Sequence, residues 1–120
     1  MRRTVRKIVV NRRPIGPGQA VVLALVEKNG KFETWMVNVF PRLGYSNSES
    51  YGAMVKRMVR AGYLDNEGRI TDKGKMILEG VKRRGGQYFE RFVREVVKDL
   101  NKKADENVWQ YWDMVIEGKV

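Results

Sequence analysis

The chain contains neither cysteine nor histidine among its 120 residues. Without cysteine it has no disulfide, thiolate nucleophile or thiolate ligand, and without histidine it lacks the commonest general base and metal ligand. No apolar run approaches the ~18 residues that a membrane-spanning helix needs, and the basic first ten residues do not form a signal peptide. We therefore expect a soluble, cytoplasmic protein with no membrane segment, no metal site and no cofactor.

The motifs of common enzyme chemistries are also missing. The sequence has no carboxylate cluster, no phosphate-binding loop of the G-x-x-x-x-G-K-[ST] type and no G-x-S-x-G nucleophile motif. Catalysis would have to depend on carboxylates, lysine or serine alone. We therefore expect that the protein is not an enzyme.

Positive charge is what the chain has in excess. Lysine and arginine number 24 against 14 acidic residues, which gives a net charge of +10 and a pI near 10.1. Residues 1–16 carry six basic residues and no acid, whereas residues 87–120 carry six basic and seven acidic residues. A field of this sign favours polyanionic partners, nucleic acid first and anionic lipid second. The balanced C-terminal segment is expected to do something other than contact phosphate.

Hydrophobic periodicity predicts a mainly helical chain with one small hairpin. The second helix is predicted to be short, because Pro41 lacks the N–H that a longer helix would use. In order, the predicted elements are a helix over 19–28, a short helix ending or kinking near Phe40, a helix from about Ser46 to Gly62, a hairpin over 63–71, a helix from Thr71 or Asp72, a Gly85-Gly86 hinge, a long helix after it and a helix over 105–117.

The central elements resemble a known DNA-binding module. Leu43-Gly44-Tyr45-Ser46 leads into an apolar-striped helix that ends at Gly62-Tyr63-Leu64, and Ile70-Thr71-Asp72-Lys73-Gly74-Lys75-Met76-Ile77-Leu78 follows. In this order they resemble the winged helix-turn-helix domains of bacterial and archaeal transcription regulators of the MarR and PadR kind. The resemblance covers roughly residues 18–82. It implies a winged helix-turn-helix domain over 17–84, followed by amphipathic dimerisation helices over 87–120.

In that motif the third helix lies in the major groove and its first residues meet base edges. The outward positions on this helix are Asn47, Ser48, Ser50, Ala53, Lys56 and Arg57. The alternative is a solvated polar helix face. Wing residues Asn66 and Arg69 would reach the backbone or the minor groove, unless the wing is a plain surface turn.

Residues 1–16 are predicted to form a basic arm. Thr4 to Val10 has strand-like composition, but the flanking arginines and Pro14 argue against a buried strand. The arm would contact phosphate or the minor groove, or else be a disordered solubilising tail. Its cations are Arg2, Arg3, Arg6, Lys7, Arg12 and Arg13. Further phosphate contacts are assigned to Lys73, Lys75, Lys82, Arg83 and Arg84.

The last two helices carry too much apolar surface to stand in solvent. They pack either on the winged domain or on the same helices of a second copy, and the resemblance favours a homodimer. The interface residues would be Phe89, Phe92, Val93, Val96, Val97, Leu100, Trp109 and Trp112.

The sequence thus predicts a nucleoid-associated, sequence-specific regulator that binds double-stranded DNA. Whether a small-molecule effector binds is left open. One alternative is an architectural, weakly specific DNA-binding protein, and another is a winged-helix module for RNA or protein contact.

Overall fold

The computed structural model describes residues 7–10, 13–45 and 51–118 of the chain. Its elements are β1 (Ile8–Val10), β2 (Arg13–Ile15), α1 (Pro17–Asn29), a 3₁₀ helix (Thr34–Asn38), α2 (Val39–Arg42), α3 (Tyr51–Arg60), α4 (Asp72–Gly85), α5 (Gln87–Lys98) and α6 (Glu106–Glu117). The protein is therefore mainly helical with a small two-stranded antiparallel sheet, which confirms the expected class. Within the described ranges, no helix is long and apolar enough to cross a membrane.

The sheet lies within residues 1–16, where the sequence predicted a basic arm. Ile8 pairs with Ile15 in the antiparallel ladder, and both side chains are buried, as is Val10. The interpretation that Pro14 and the arginines exclude a buried strand is wrong. Alternate side chains face the core while Val9 and Pro14 point outward, and each strand of a two-stranded sheet has a free edge that tolerates proline. Of the predicted arm cations, Arg2, Arg3, Arg6 and Arg12 lie outside the described residues, as does the side chain of Arg13.

The first two helical elements lie where they were predicted, but each is longer: α1 extends the predicted 19–28 helix at both ends, and the second element runs two residues past Phe40, through Pro41 to Arg42. α1 begins with Pro17 in its first turn and ends at Gly30, whose φ of +100° lets its N–H donate to the carbonyl of Val26 at 2.8 Å. The second predicted helix is the 3₁₀ helix followed by the single turn of α2. Pro41 lies in the first turn of α2, where no intrahelical N–H partner is required.

α3 and α4 are joined by a short connection that does not form a regular β-hairpin. The predicted hairpin is reduced to one antiparallel bridge, between Leu64 and Ile70. Thr71 caps α4, because its Oγ1 accepts from the N–H of Gly74 at 3.0 Å and donates to the carbonyl of Gly62. One hydroxyl therefore fastens the start of α4 to the end of α3.

α5 and α6 complete the core of the same chain. Five of the predicted interface residues are buried within it: Phe89, Phe92, Val96, Trp109 and Trp112. The ring centroids of Phe92 and Trp112 lie 5.2 Å apart. The prediction that these five side chains face a second copy is therefore corrected, since α4, α5 and α6 bury them against one another.

The corner between α4 and α5 is fixed by close packing. A Cβ at Gly85 would lie 2.8 Å from Cγ2 of Val115, so only glycine admits α6 at this distance. Gly86 then turns the chain at φ +53°. The predicted hinge is instead a packed corner.

Arg42 links the first part of the fold to the last. Its guanidinium is buried and donates from Nε to the carbonyl of Val96, from Nη1 to that of Lys102 and from Nη2 to that of Glu95, each at 2.9 Å. Its own carbonyl accepts from the N–H of Ala104 at 2.7 Å. A cation at the C-terminus of α5 meets both the free carbonyls and the negative end of the helix dipole.

We expect Arg42→Ala to lower the free energy of unfolding by about 3 kcal/mol, because buried carbonyls lose charged donors. Urea denaturation followed by circular dichroism measures the change. Arg69→Ala is the matched control: Arg69 forms an exposed ion pair with Glu67, which is worth about 0–1 kcal/mol. Equal losses in the two variants would contradict the linking role of Arg42.

We expect Phe92→Ala to destabilise the single chain by about 3–5 kcal/mol through the cavity that it leaves. Val97→Ala, at a half-buried position of the same helix, should cost less. Urea unfolding gives the stabilities and sedimentation gives the mass of each variant. If Phe92→Ala kept the wild-type stability but sedimented as a monomer where the wild type is a dimer, the result would support the predicted dimer interface.

Candidate nucleic-acid interface

The exposed face of α3 is the strongest candidate surface. Met54 and Met58 are buried on one side of the helix. At 3.6 residues per turn, the opposite side collects Gly52, Ala53, Lys56, Arg57 and Arg60. Gly52 and the three cations are exposed, Ala53 is half-buried, and α3 contains no acidic residue. This face, called the α3 face below, is therefore uniformly basic.

The two ends of α3 differ in what surrounds them. At its C-terminal end, Lys73 of α4 comes close to Gly62 and holds its Nζ 5.9 Å from the ring centroid of Tyr63. A cation in this position suits both the helix C-terminus and the face of the ring. At the N-terminal end, the predicted base-reading residues Asn47, Ser48 and Ser50 lie outside the described residues.

The turn before α3 is anchored by Tyr45. Its ring meets that of Phe40 edge to face at 5.5 Å, and its N–H donates to the Phe40 carbonyl at 3.0 Å. Burial raises the pKa of the Tyr45 hydroxyl above its ordinary value, partly opposed by a hydrogen bond with the backbone of Gly18 at the start of α1. The neutral phenol therefore joins the turn to α1.

The predicted wing is a compact acidic turn. The Oδ1 atom of Asp65 accepts from the N–H groups of Arg69 and Glu67, each at 2.9 Å. The Gly68 carbonyl accepts from the N–H of Phe32 at 2.6 Å, which docks the turn on the segment after α1. Asn66 and Arg69 are exposed, but the Arg69 guanidinium pairs with Glu67 at 2.9 Å. Two carboxylates so close to Arg69 weaken any attraction to phosphate.

Several other cations have structural partners. Lys82 Nζ lies 2.6 Å from Glu27 Oε1, and the Arg84 guanidinium donates to the carbonyl of Ile116 near the end of α6. Lys7, Lys75 and Arg83 are exposed. The structure thus separates cations that hold the fold from cations that point to solvent.

Other kinds of site find little support in the described ranges. Within them, no group of three or more acidic, histidine or cysteine side chains could hold a metal ion. A shallow cleft of about 170 Å³ lies between α5 and α6, lined by Arg91, Arg94, Glu95 and Tyr111. Its lining is polar and carries both signs of charge.

Sequence reasoning missed the role of Arg42. The available signal was a lone arginine between Phe40 and Leu43, two apolar residues that the core buries. A cation buried among apolar residues is tolerated only where hydrogen-bond acceptors surround it.

The chain matches no family model, no curated protein and no solved structure. The resemblance to winged helix-turn-helix regulators therefore remains a prediction.

The hydrogen bonds from Arg69 and Glu67 hold the pKa of Asp65 below its ordinary value of 3.8. Because the pKa of Asp65 is lower in the folded protein than in the unfolded chain, the ionised carboxylate stabilises the turn at pH values above its unfolded pKa. This stabilisation is lost as the pH falls through the folded pKa. We expect NMR titration of the Asp65 carboxyl carbon to give a pKa below 3.8. Asp65→Ala should remove this acid dependence from the turn's amide shifts. Titration at or above the ordinary value would contradict the turn geometry.

Proposed function

We propose that the protein binds double-stranded DNA with the α3 face in the major groove and acts as a sequence-specific transcription regulator. The observation that carries the proposal is that face itself. Lys56, Arg57 and Arg60 project from a helix whose other side is anchored in the core by Met54 and Met58. The proposal implies association with the nucleoid.

The chemistry of the α3 face suits this partner. The major groove admits one helix, and lysine or arginine can donate to the O6 and N7 atoms of guanine. Gly52 and Ala53 are small, so the backbone of α3 can approach the groove floor closely. The net charge of +10 adds an attraction to phosphate that does not depend on sequence.

The order of the elements supports the same proposal. α1, the 3₁₀ helix with α2, the turn, α3, the single bridge and α4 follow the winged helix-turn-helix succession. Because the wing is short and acidic, we expect α3 to supply more of the affinity than Asn66 and Arg69.

A homodimer stays part of the proposal, with a smaller interface than the sequence predicted. Val93, Val97 and Leu100 are half-buried in one chain and remain available to a partner in part. Two α3 faces related by a two-fold axis would meet half-sites about one helical turn apart.

The second candidate is an architectural protein that binds duplex DNA with little sequence preference. One observation favours it: the described residues of the α3 face are three cations, one glycine and one alanine. Cations also bind phosphate, which carries no sequence information.

Selection from a random duplex library, followed by binding of selected and scrambled DNA over a salt series, separates the two. A selected site held at least ~10³-fold tighter than scrambled DNA supports the regulator. Tight, sequence-blind binding with a steep salt slope supports the architectural protein. Absence of duplex binding overturns both, and leaves contact with RNA or protein.

We expect Lys56→Ala or Arg57→Ala to weaken binding to the selected site by ~1–3 kcal/mol and to relax its sequence preference, if the side chain contacts a base. The control is Lys28→Ala, which removes an exposed lysine from the last turn of α1. Fluorescence anisotropy with selected and scrambled duplexes measures both affinities. An equal loss on both duplexes would reassign the residue to phosphate contact.

A further inference from the structure

We propose that Lys102 and Lys103, in the loop between α5 and α6, contact the phosphate backbone of the duplex beside α3. The inference rests on the proposed function and adds a second contact surface for the same partner. The two residues are called the lysine loop below.

Arg42 fixes the lysine loop against the turn that leads to α3. Its Nη1 donates to the Lys102 carbonyl at 2.9 Å, and its carbonyl accepts from the Ala104 N–H at 2.7 Å. Arg42 is also the last residue of α2, and the anchored turn that ends at Tyr45 follows it directly. The lysine loop and the turn before α3 are therefore neighbours, although they are far apart in the sequence.

This neighbourhood places the lysine loop at the edge of the proposed DNA site. In helix-turn-helix proteins the N-terminal part of the recognition helix enters the groove, while the helix before it crosses the backbone. A group beside the turn between those two helices lies near the phosphates that border the groove. Both lysine side chains are exposed while the backbone beneath them is fixed by hydrogen bonds. Binding would then order side chains rather than a whole segment.

Two acids close to the lysine loop in sequence accept hydrogen bonds from backbone N–H groups. Asp99 Oδ1 accepts from the N–H of Asn101 at 3.0 Å, and Asp105 Oδ1 accepts from the N–H of Val108 at 3.2 Å. The side chains of Lys102 and Lys103 form no hydrogen bond or ion pair with another residue of the described ranges. The C-terminal segment is balanced in total charge, but Asp99 and Asp105 are held at backbone N–H groups, whereas the side chains of Lys102 and Lys103 are exposed.

The lysine loop and the short wing differ in whether their cations are paired. The wing turn holds Asp65 and Glu67, and its arginine pairs with one of them. Within the described ranges neither Lys102 nor Lys103 has such an ion pair, and Lys98, the last residue of α5, is exposed as well.

The first experiment compares the double variant Lys102→Ala/Lys103→Ala with Lys28→Ala/Arg91→Ala. The control removes the same charge from two exposed positions that are not assigned to DNA contact, one in the last turn of α1 and one in α5. Gly18, which contacts the Phe40 and Tyr45 rings beside the turn, lies at the other end of α1. Unchanged melting temperatures establish that both variants are folded.

Loss of two phosphate contacts should lower the slope of log K against log salt by about 1.8 and weaken binding roughly 30-fold near 0.15 M salt. The loss should be the same on selected and scrambled duplexes, and the control should keep the wild-type slope. Equal losses of DNA affinity in both variants, or no loss in the lysine-loop variant, would overturn the inference. If the wild-type protein still binds duplex DNA in that case, the proposed function is unaffected. A wild-type protein that binds no duplex would instead overturn the proposed function, and the inference with it.

A second experiment tests position. Because the chain has no cysteine, Lys102→Cys provides one thiol for an iron chelate that cleaves nearby DNA by hydroxyl radicals. We expect cuts next to the bases protected by α3, and none from the same chelate on Lys28→Cys. Cleavage that is absent, or identical from the two positions, would overturn the placement of the lysine loop.

Discussion

The buried guanidinium of Arg42 is the interaction on which the arrangement of this protein most depends. It reaches across more than fifty residues of sequence to the last turn of α5. A planar group with five N–H donors can satisfy several carbonyls at once, which a lysine ammonium in the same place would do less well. Through it the end of α2, the end of α5 and the loop before α6 become one unit, and the turn that ends at Tyr45 continues directly from that unit.

Cations in this chain serve two purposes that net charge does not distinguish. Arg42 caps the C-terminus of α5, and Arg84 does the same near the end of α6. Lys82 and Arg69 pair with carboxylates. Such residues contribute to a charge of +10 without being offered to a partner. Lys56 and Arg60 of the α3 face and the two residues of the lysine loop are exposed instead, and they support the functional proposals.

The helical part of the fold was predictable because helix signals are local. The stripe of apolar residues in α3, the stop at Gly30 and the cap at Thr71 each depend on residues within a few positions of one another. For the candidate site, the same periodicity placed Lys56 and Arg57 opposite the buried methionines. The residues assigned to the start of the recognition helix, Asn47, Ser48 and Ser50, stay predictions.

The sequence by itself determined the helical class, the order of the helices, the excess of basic residues and the outward face of α3. Only the tertiary structure decided which surface each apolar stripe meets. α5 and α6 carry stripes that suit either a second copy or their own chain, and packing against α4 buries them within one chain. The strands of residues 8–10 and 13–15 are too short to be stable alone, and Val10 gains its place by packing over Gly80 of α4. Both outcomes depend on contacts between distant residues, which no local pattern contains.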